Sequence, residues 1–185
     1  LTKVILGLTE TDNGEVKILN ENNGSYGYAP QKITFLRRNV FDNIAFPMII
    51  KGFGKKTIFK RVNYIMKKFG IYNLKNMSAR NLSGGLSQFV SFIRAIVNNP
   101  KLLILDEPSS NLDVNLKKKI ENFLIKEKSK RKIIMVTHDL FQARRLADEI
   151  ILVDNKGVLS KFSKKELWNE KNYKIQNFLN KNFFE

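Results

Sequence analysis

Leu102 to Leu105 form an unbroken apolar run that stops at Asp106, Glu107 and Pro108. A run this short suits a strand, and continuous rather than alternating apolarity marks a strand covered on both faces, as in a parallel sheet. Ile133 to Val136 repeats the pattern as a second buried strand. Between and around them the chain reads helical: Thr57 to Phe69 has Ile58, Val62, Ile65, Met66 and Phe69 at helical spacing, a helix runs from the glycines at 84 and 85 to about Val97, and Asn115 to Lys128 and Leu140 to Ala147 follow. Strands alternating with helices predict an α/β fold with a mostly parallel sheet.

Further elements are expected at the ends. Leu1 to Leu8 reads as the end of a helix stopping at Gly7, Glu15 to Leu19 and Ser25 to Pro30 as strands, and Glu149 to Val153 as another strand. From about Val40 to Asn81 the chain reads as mixed helix, interrupted at Pro47 and at Gly52 and Gly54. Residues from Lys164 onward read as a helical tail.

With 185 residues, the chain is long enough for one domain with a proper core. No apolar run approaches the ~18–20 residues of a membrane-spanning helix. The absence of cysteine excludes disulfides and thiolate metal sites, which fits a reducing compartment. A net charge of +16 suggests an anionic partner, but 25 of the 33 cations are lysine and asparagine contributes 21 residues more. That enrichment follows from AT-rich codon usage. The lysines are also dispersed rather than gathered with stacking aromatics. The charge therefore reads as a solvated basic surface, compatible with a nearby acidic membrane leaflet, and nucleic acid is not an expected partner.

Two segments carry chemistry. A carboxylate at the end of a buried strand stands at the sheet edge where α/β folds bind ligands; Asp106 there can hold Mg²⁺ directly or through water, and Glu107 can polarise an attacking water as general base. The same residues could simply begin a turn. Leu82 to Gln88 (LSGGLSQ) puts Ser83, Gly84 and Gly85 at a helix start, where backbone N–H groups and missing side chains let a phosphate approach.

Together, in this order, LSGGLSQ, LLILDEPSSNLD and IIMVTHD resemble the nucleotide-binding domain of ATP-binding cassette (ABC) proteins, and the resemblance extends from Leu1 to about Lys161. It implies a P-loop NTPase core with an inserted helical subdomain, as a single incomplete domain over 1–185: residues 1–39 and 91–163 form the core, roughly 40–90 the subdomain carrying the signature, and 164–185 the tail. It implies ATP and Mg²⁺ as ligands, with Asp106 and Gln31 on the metal and Glu107 and His138 as the catalytic pair. His138 would bond the γ-phosphate and the attacking water. Ser83, Gly84 and Gly85 would contact nucleotide, and the loop from Ser110 to Asp113 would cross to a second copy.

The phosphate loop, with its lysine, and the adenine-stacking aromatic are expected before Leu1. Gly52 to Thr57 (GFGKKT) lacks the GxxxxGK[ST] spacing of such a loop. The signature also departs from the family pattern of glutamine or glutamate, a basic residue, glutamine and arginine: Leu86, Ser87, Gln88 and Phe89 stand there. The resemblance implies a homodimer of nucleotide-binding domains, a separate membrane permease and a solute-binding protein, at the cytoplasmic face of a bacterial membrane. THDLFQARRLADEI and QKITFLRRNVFDNIAFPM are similar to importers of oxyanions, the tungstate group in particular. The alternatives are a nucleotide-incompetent remnant or regulatory subunit, and an ABC ATPase unconnected with transport.

Overall fold

Strand β2 (Leu102–Asp106) lies between β1 (Tyr26–Ala29) and β3 (Lys132–Val136) in a three-stranded parallel sheet. The computed structural model describes residues 2–11, 13–16, 26–154, 157–163 and 166. They divide into two compact units, Leu1–Thr137 and His138–Glu185. Central placement explains the unbroken apolar run: Leu103, Ile104 and Leu105 are fully buried. β3 is less buried than expected, with Lys132 and Val136 exposed and the residues between them half-buried. Among the described residues it has one neighbouring strand, so part of its apolar surface remains open.

Helix α1 (Thr2–Ile5) precedes the sheet, and α2 (Val40–Ile50), α3 (Lys55–Phe69) and α4 (Gly84–Ile96) lie between β1 and β2. The Asn39 side chain caps α2 by accepting the Asp42 N–H at 2.7 Å. Pro47 was expected to interrupt this segment, but the helix continues through it. A proline inside a helix removes one backbone bond at a cost of roughly 3 kcal/mol; burial of Val40, Ile44, Ala45 and Met48 along one side offsets it. The expected break falls instead at Gly52. In α3 the five apolar residues at helical spacing are all buried. Two short 3-10 turns, Tyr72–Leu74 and Ala79–Asn81, lead into α4.

Aromatic rings fasten α4 to its neighbours. Phe89 and Phe92 lie edge-on to Phe69 of α3, with centroids 5.7 and 6.1 Å away, and Phe123 of α5 (Val114–Glu127) sits 5.5 Å from Phe92. Phe89, where the family pattern has arginine, is fully buried in this cluster. On the sheet side, β1 passes α4 so closely that a Cβ on Gly27 would stand 2.0 Å from the Ala95 carbonyl oxygen, so only glycine fits.

In the second unit, α6 (Leu140–Leu146) is followed by an antiparallel hairpin of β4 (Glu149–Asp154) and β5 (Gly157–Ser163). The expected strand at Glu149 is therefore real, but it pairs with β5 in a two-stranded sheet. β5 escaped the sequence reading because Val158, Leu159 and Phe162 are its only large apolar residues, in no sustained alternation. Most of the expected strand from Glu15 to Leu19, and the tail from Lys164 apart from Glu166, lie outside the described residues.

Candidate functional site

The chain leaves parallel strands β1 and β2 at the same sheet edge, because Ala29 pairs with Leu105 and Asp106 with Val136 of β3. Gln31 follows β1 by two residues and is exposed. Asp106 ends β2, and its Oδ2 accepts the Thr2 hydroxyl at 3.3 Å. Tyr28 shares this neighbourhood: burial first, then the Asp106 charge, raises its phenol above the ordinary value, against a hydrogen bond with Thr2. The sequence reading missed both Thr2 and Tyr28.

Glu107 is held in an unusual backbone conformation. Its φ of 50° lies in the left-handed region, uncommon for a residue with a side chain. Hydrogen bonds at both its N–H and its carbonyl brace it. Its N–H donates to the Val136 carbonyl at 3.0 Å, while its own carbonyl accepts the Gln88 amide at 2.6 Å, the Ser110 hydroxyl at 3.3 Å and the Ser110 N–H at 3.4 Å. Gln88, 4% exposed, lies in the second turn of α4. A long polar side chain at helical spacing with the apolar residues of α4 was the signal that could have identified it.

At the start of α4, Ser83 is the N-cap, its Oγ accepting the Leu86 N–H at 3.4 Å. That bond uses a lone pair, leaving the hydroxyl hydrogen for an outside acceptor. Gly84 is exposed with nothing within 4 Å of where a Cβ would stand, whereas a Cβ on Gly85 would lie 2.8 Å from the Asn111 carbonyl oxygen. The Glu107–Asp113 loop thus packs against α4 at two points. Asp113 caps α5, its Oδ1 accepting the Asn115 and Leu116 N–H groups at 2.8 and 2.9 Å, a structural task the sequence did not disclose.

The loop after Gln31 is tied to two helices. Asn43 of α2, fully buried, accepts the Leu36 N–H at 2.9 Å and donates to the Leu36, Arg38 and Asn39 carbonyls. Arg94, from the last turn of α4, donates to the Thr34 carbonyl at 3.0 Å and stacks over Phe35; burial lowers its guanidinium below the ordinary value. One helix therefore connects the Ser83–Gly85 turn, the Glu107 carbonyl and the loop carrying Gln31. His138 opens the second unit, two residues after β3, and is exposed.

A parallel α/β sheet with an acidic strand end beside a glycine-rich helix start defines a phosphate-ligand class of fold. The ABC transporter family model matches residues 1–110, and the chain belongs to that family. It is 34% identical to the molybdate/tungstate import ATP-binding protein WtpC of Methanocaldococcus jannaschii, over all of this chain and 65% of that protein. It is 39% identical to the tungstate uptake system ATP-binding protein TupC of Peptoclostridium acidaminophilum, over 68% of this chain and 59% of that one. The methionine import ATP-binding protein MetN of Clostridioides difficile matches at 37%, over 86% and 54%. The chain thus spans about 60% of the length of these curated relatives. A chain from a metal-chelate type ABC transporter in an inward-facing conformation superposes with a TM-score of 0.77 at 20% identity, covering 92% of this chain and 69% of that one; this likeness shows the P-loop NTPase fold.

The residues present fit ATP and Mg²⁺. The open Gly84 leaves the start of α4 accessible to an anion. Among the described residues no group of three or more His, Cys, Asp or Glu could hold a metal, yet Mg²⁺ commonly uses one or two carboxylates and completes its shell with phosphate oxygens and water. Asp106 at the sheet edge is a carboxylate that would fit this part. No described helix is long and apolar enough to cross a membrane.

Proposed function

We propose that this chain is the nucleotide-hydrolysing part of an ATP-driven import system whose cargo is an oxyanion such as tungstate. The observation that carries the reading is Glu107, braced in its left-handed conformation beside Asp106 at the sheet edge. Asp106 and Gln31 would hold the Mg²⁺ of the nucleotide, and that ion, when bound, would offset charge on the phosphate oxygens. Glu107 accepts a proton from the attacking water, and His138 donates a hydrogen bond toward the γ-phosphate.

Ser83, Gly84 and Gly85 face nucleotide held by a second copy, and the loop ending at Asp113 reaches that copy. Residues 40–90 act as the helical subdomain against a separate membrane permease, at the cytoplasmic face of a bacterial membrane, with a solute-binding protein supplying cargo. Two relatives named for tungstate support an oxyanion cargo; the relative named for methionine points elsewhere. Loss of polar groups at Leu86 and Phe89 favours the second reading, a regulatory subunit without turnover. Tungstate accumulation in cells lacking the gene tests cargo: the wild-type gene restores it and Glu107→Gln does not. Restoration of methionine uptake instead would reassign the cargo, and equal restoration by both versions would favour the regulatory reading.

A further inference from the structure

We propose that Gln88 is a positioning residue that couples the α4 signature turn to Glu107 of the same chain, and so links two nucleotide sites through one polypeptide. The inference rests on the hydrolytic reading above and adds a residue and a route to it. The Gln88 amide is almost wholly buried and donates to the Glu107 carbonyl at 2.6 Å. Glu107 sits at φ 50°, a conformation that persists only when its surroundings over-determine it. The Val136 bond fixes the strand end and the two Ser110 bonds lie within the same loop. The Gln88 bond reaches Glu107 from the signature helix.

Helix α4 is stiff over this distance. Ser83 and Gly84 begin it, and Gln88 lies about one turn further on. A shift of the signature turn on meeting nucleotide held by a second copy is therefore carried to the Glu107 carbonyl through the Gln88 side chain. Gly85 supports the same route, since its Cα packs on the Asn111 carbonyl in the loop that Glu107 begins. Glu107 serves the nucleotide of its own chain, while Ser83–Gly85 serve that of the partner copy. The Gln88 bond therefore makes engagement at one site a condition for correct aim at the other.

The test compares Gln88→Met, which keeps length but cannot donate, with Gln88→Glu, which donates only when protonated. Both are measured in the ATPase at its full natural length, after wild type and Glu107→Gln have been compared. The inference predicts that Gln88→Met lowers kcat at least about tenfold, or 1.4 kcal/mol of barrier, with KM for ATP unchanged. It predicts almost no further loss when Gln88→Met is combined with Glu107→Gln. Burial beside a carbonyl raises the carboxyl of the Glu variant, so its activity relative to wild type rises as pH is lowered from alkaline to mildly acidic. Backbone carbon shifts of Glu107 in Gln88→Met provide a readout independent of turnover, and leave the left-handed range.

A kcat within about twofold of wild type in Gln88→Met would overturn the inference. So would unmoved Glu107 shifts, or equal losses in both variants with no pH dependence and a matching fall in thermal stability. Absence of Glu107-dependent hydrolysis in the wild type would instead sink the parent reading, and the coupling with it.

Discussion

The Cα of Gly85 packs against the backbone of Asn111, so that a Cβ on Gly85 would stand 2.8 Å from the Asn111 carbonyl oxygen. The obstacle is main chain rather than a flexible side chain, and the Glu107–Asp113 loop would have to shift to admit a methyl group. Gly85→Ala is therefore expected to reduce ATPase activity by about tenfold or more while the domain remains folded, since a displacement near an ångström at a reacting centre can cost a hundredfold. Gly84→Ala, with open space around it, should keep the loop in place. Steady-state turnover and circular dichroism of the two variants check this.

Asn43 is expected to be a stability determinant. Its amide donates to three carbonyls and its oxygen accepts one N–H, all in a fully buried position. Asn43→Leu removes the acceptor of the Leu36 N–H, at about 1–3 kcal/mol where water does not reach it, while the Leu36, Arg38 and Asn39 carbonyls keep the Arg38, Ala79 and Asn43 N–H groups. Urea denaturation should show a loss of about 1–3 kcal/mol, with increased hydrogen exchange across residues 34–39.

Glu127 and Arg131 give a pH-dependent contribution. Burial alone would raise the Glu127 carboxyl, but the hydrogen bond and charge of Arg131, with Lys130 and Lys68 nearby, hold it below its ordinary 4.5. Arg131 also donates to the Pro100 carbonyl at 2.9 Å, joining the end of α5 to the start of β2. A depressed carboxylate contributes its stability above its unfolded value and loses it as pH falls through the folded value. Wild type should therefore exceed Glu127→Gln by about 1–3 kcal/mol at neutral pH, with the gap closing below pH 4.5. Denaturation midpoints measured across that range check the sign.

The sequence disclosed those elements in which burial and periodicity agree. β2 announced itself because a central parallel strand is apolar on both faces, and α3 because its five buried residues share one helical stripe. Pro47 misled because local propensity yielded to packing along α2, and β5 was invisible because its pattern is weak. At the candidate site, Asp106, Glu107 and Ser83–Gly85 were legible as residue types at fixed places. Their supports were not, since Gln88 and Thr2 act through bonds between segments distant in sequence. The substitution of Phe89 for a polar residue looked like a loss and acquires a reason in the Phe69–Phe92–Phe123 cluster.

ATP turnover by the protein at full natural length, wild type beside Glu107→Gln, tests the central claim most directly. General-base assistance ordinarily contributes about 10²–10⁴-fold. The account predicts a fall of at least about a hundredfold in kcat, with Mg-ATP binding retained. Equal turnover in the two proteins, or none in the wild type, would contradict it.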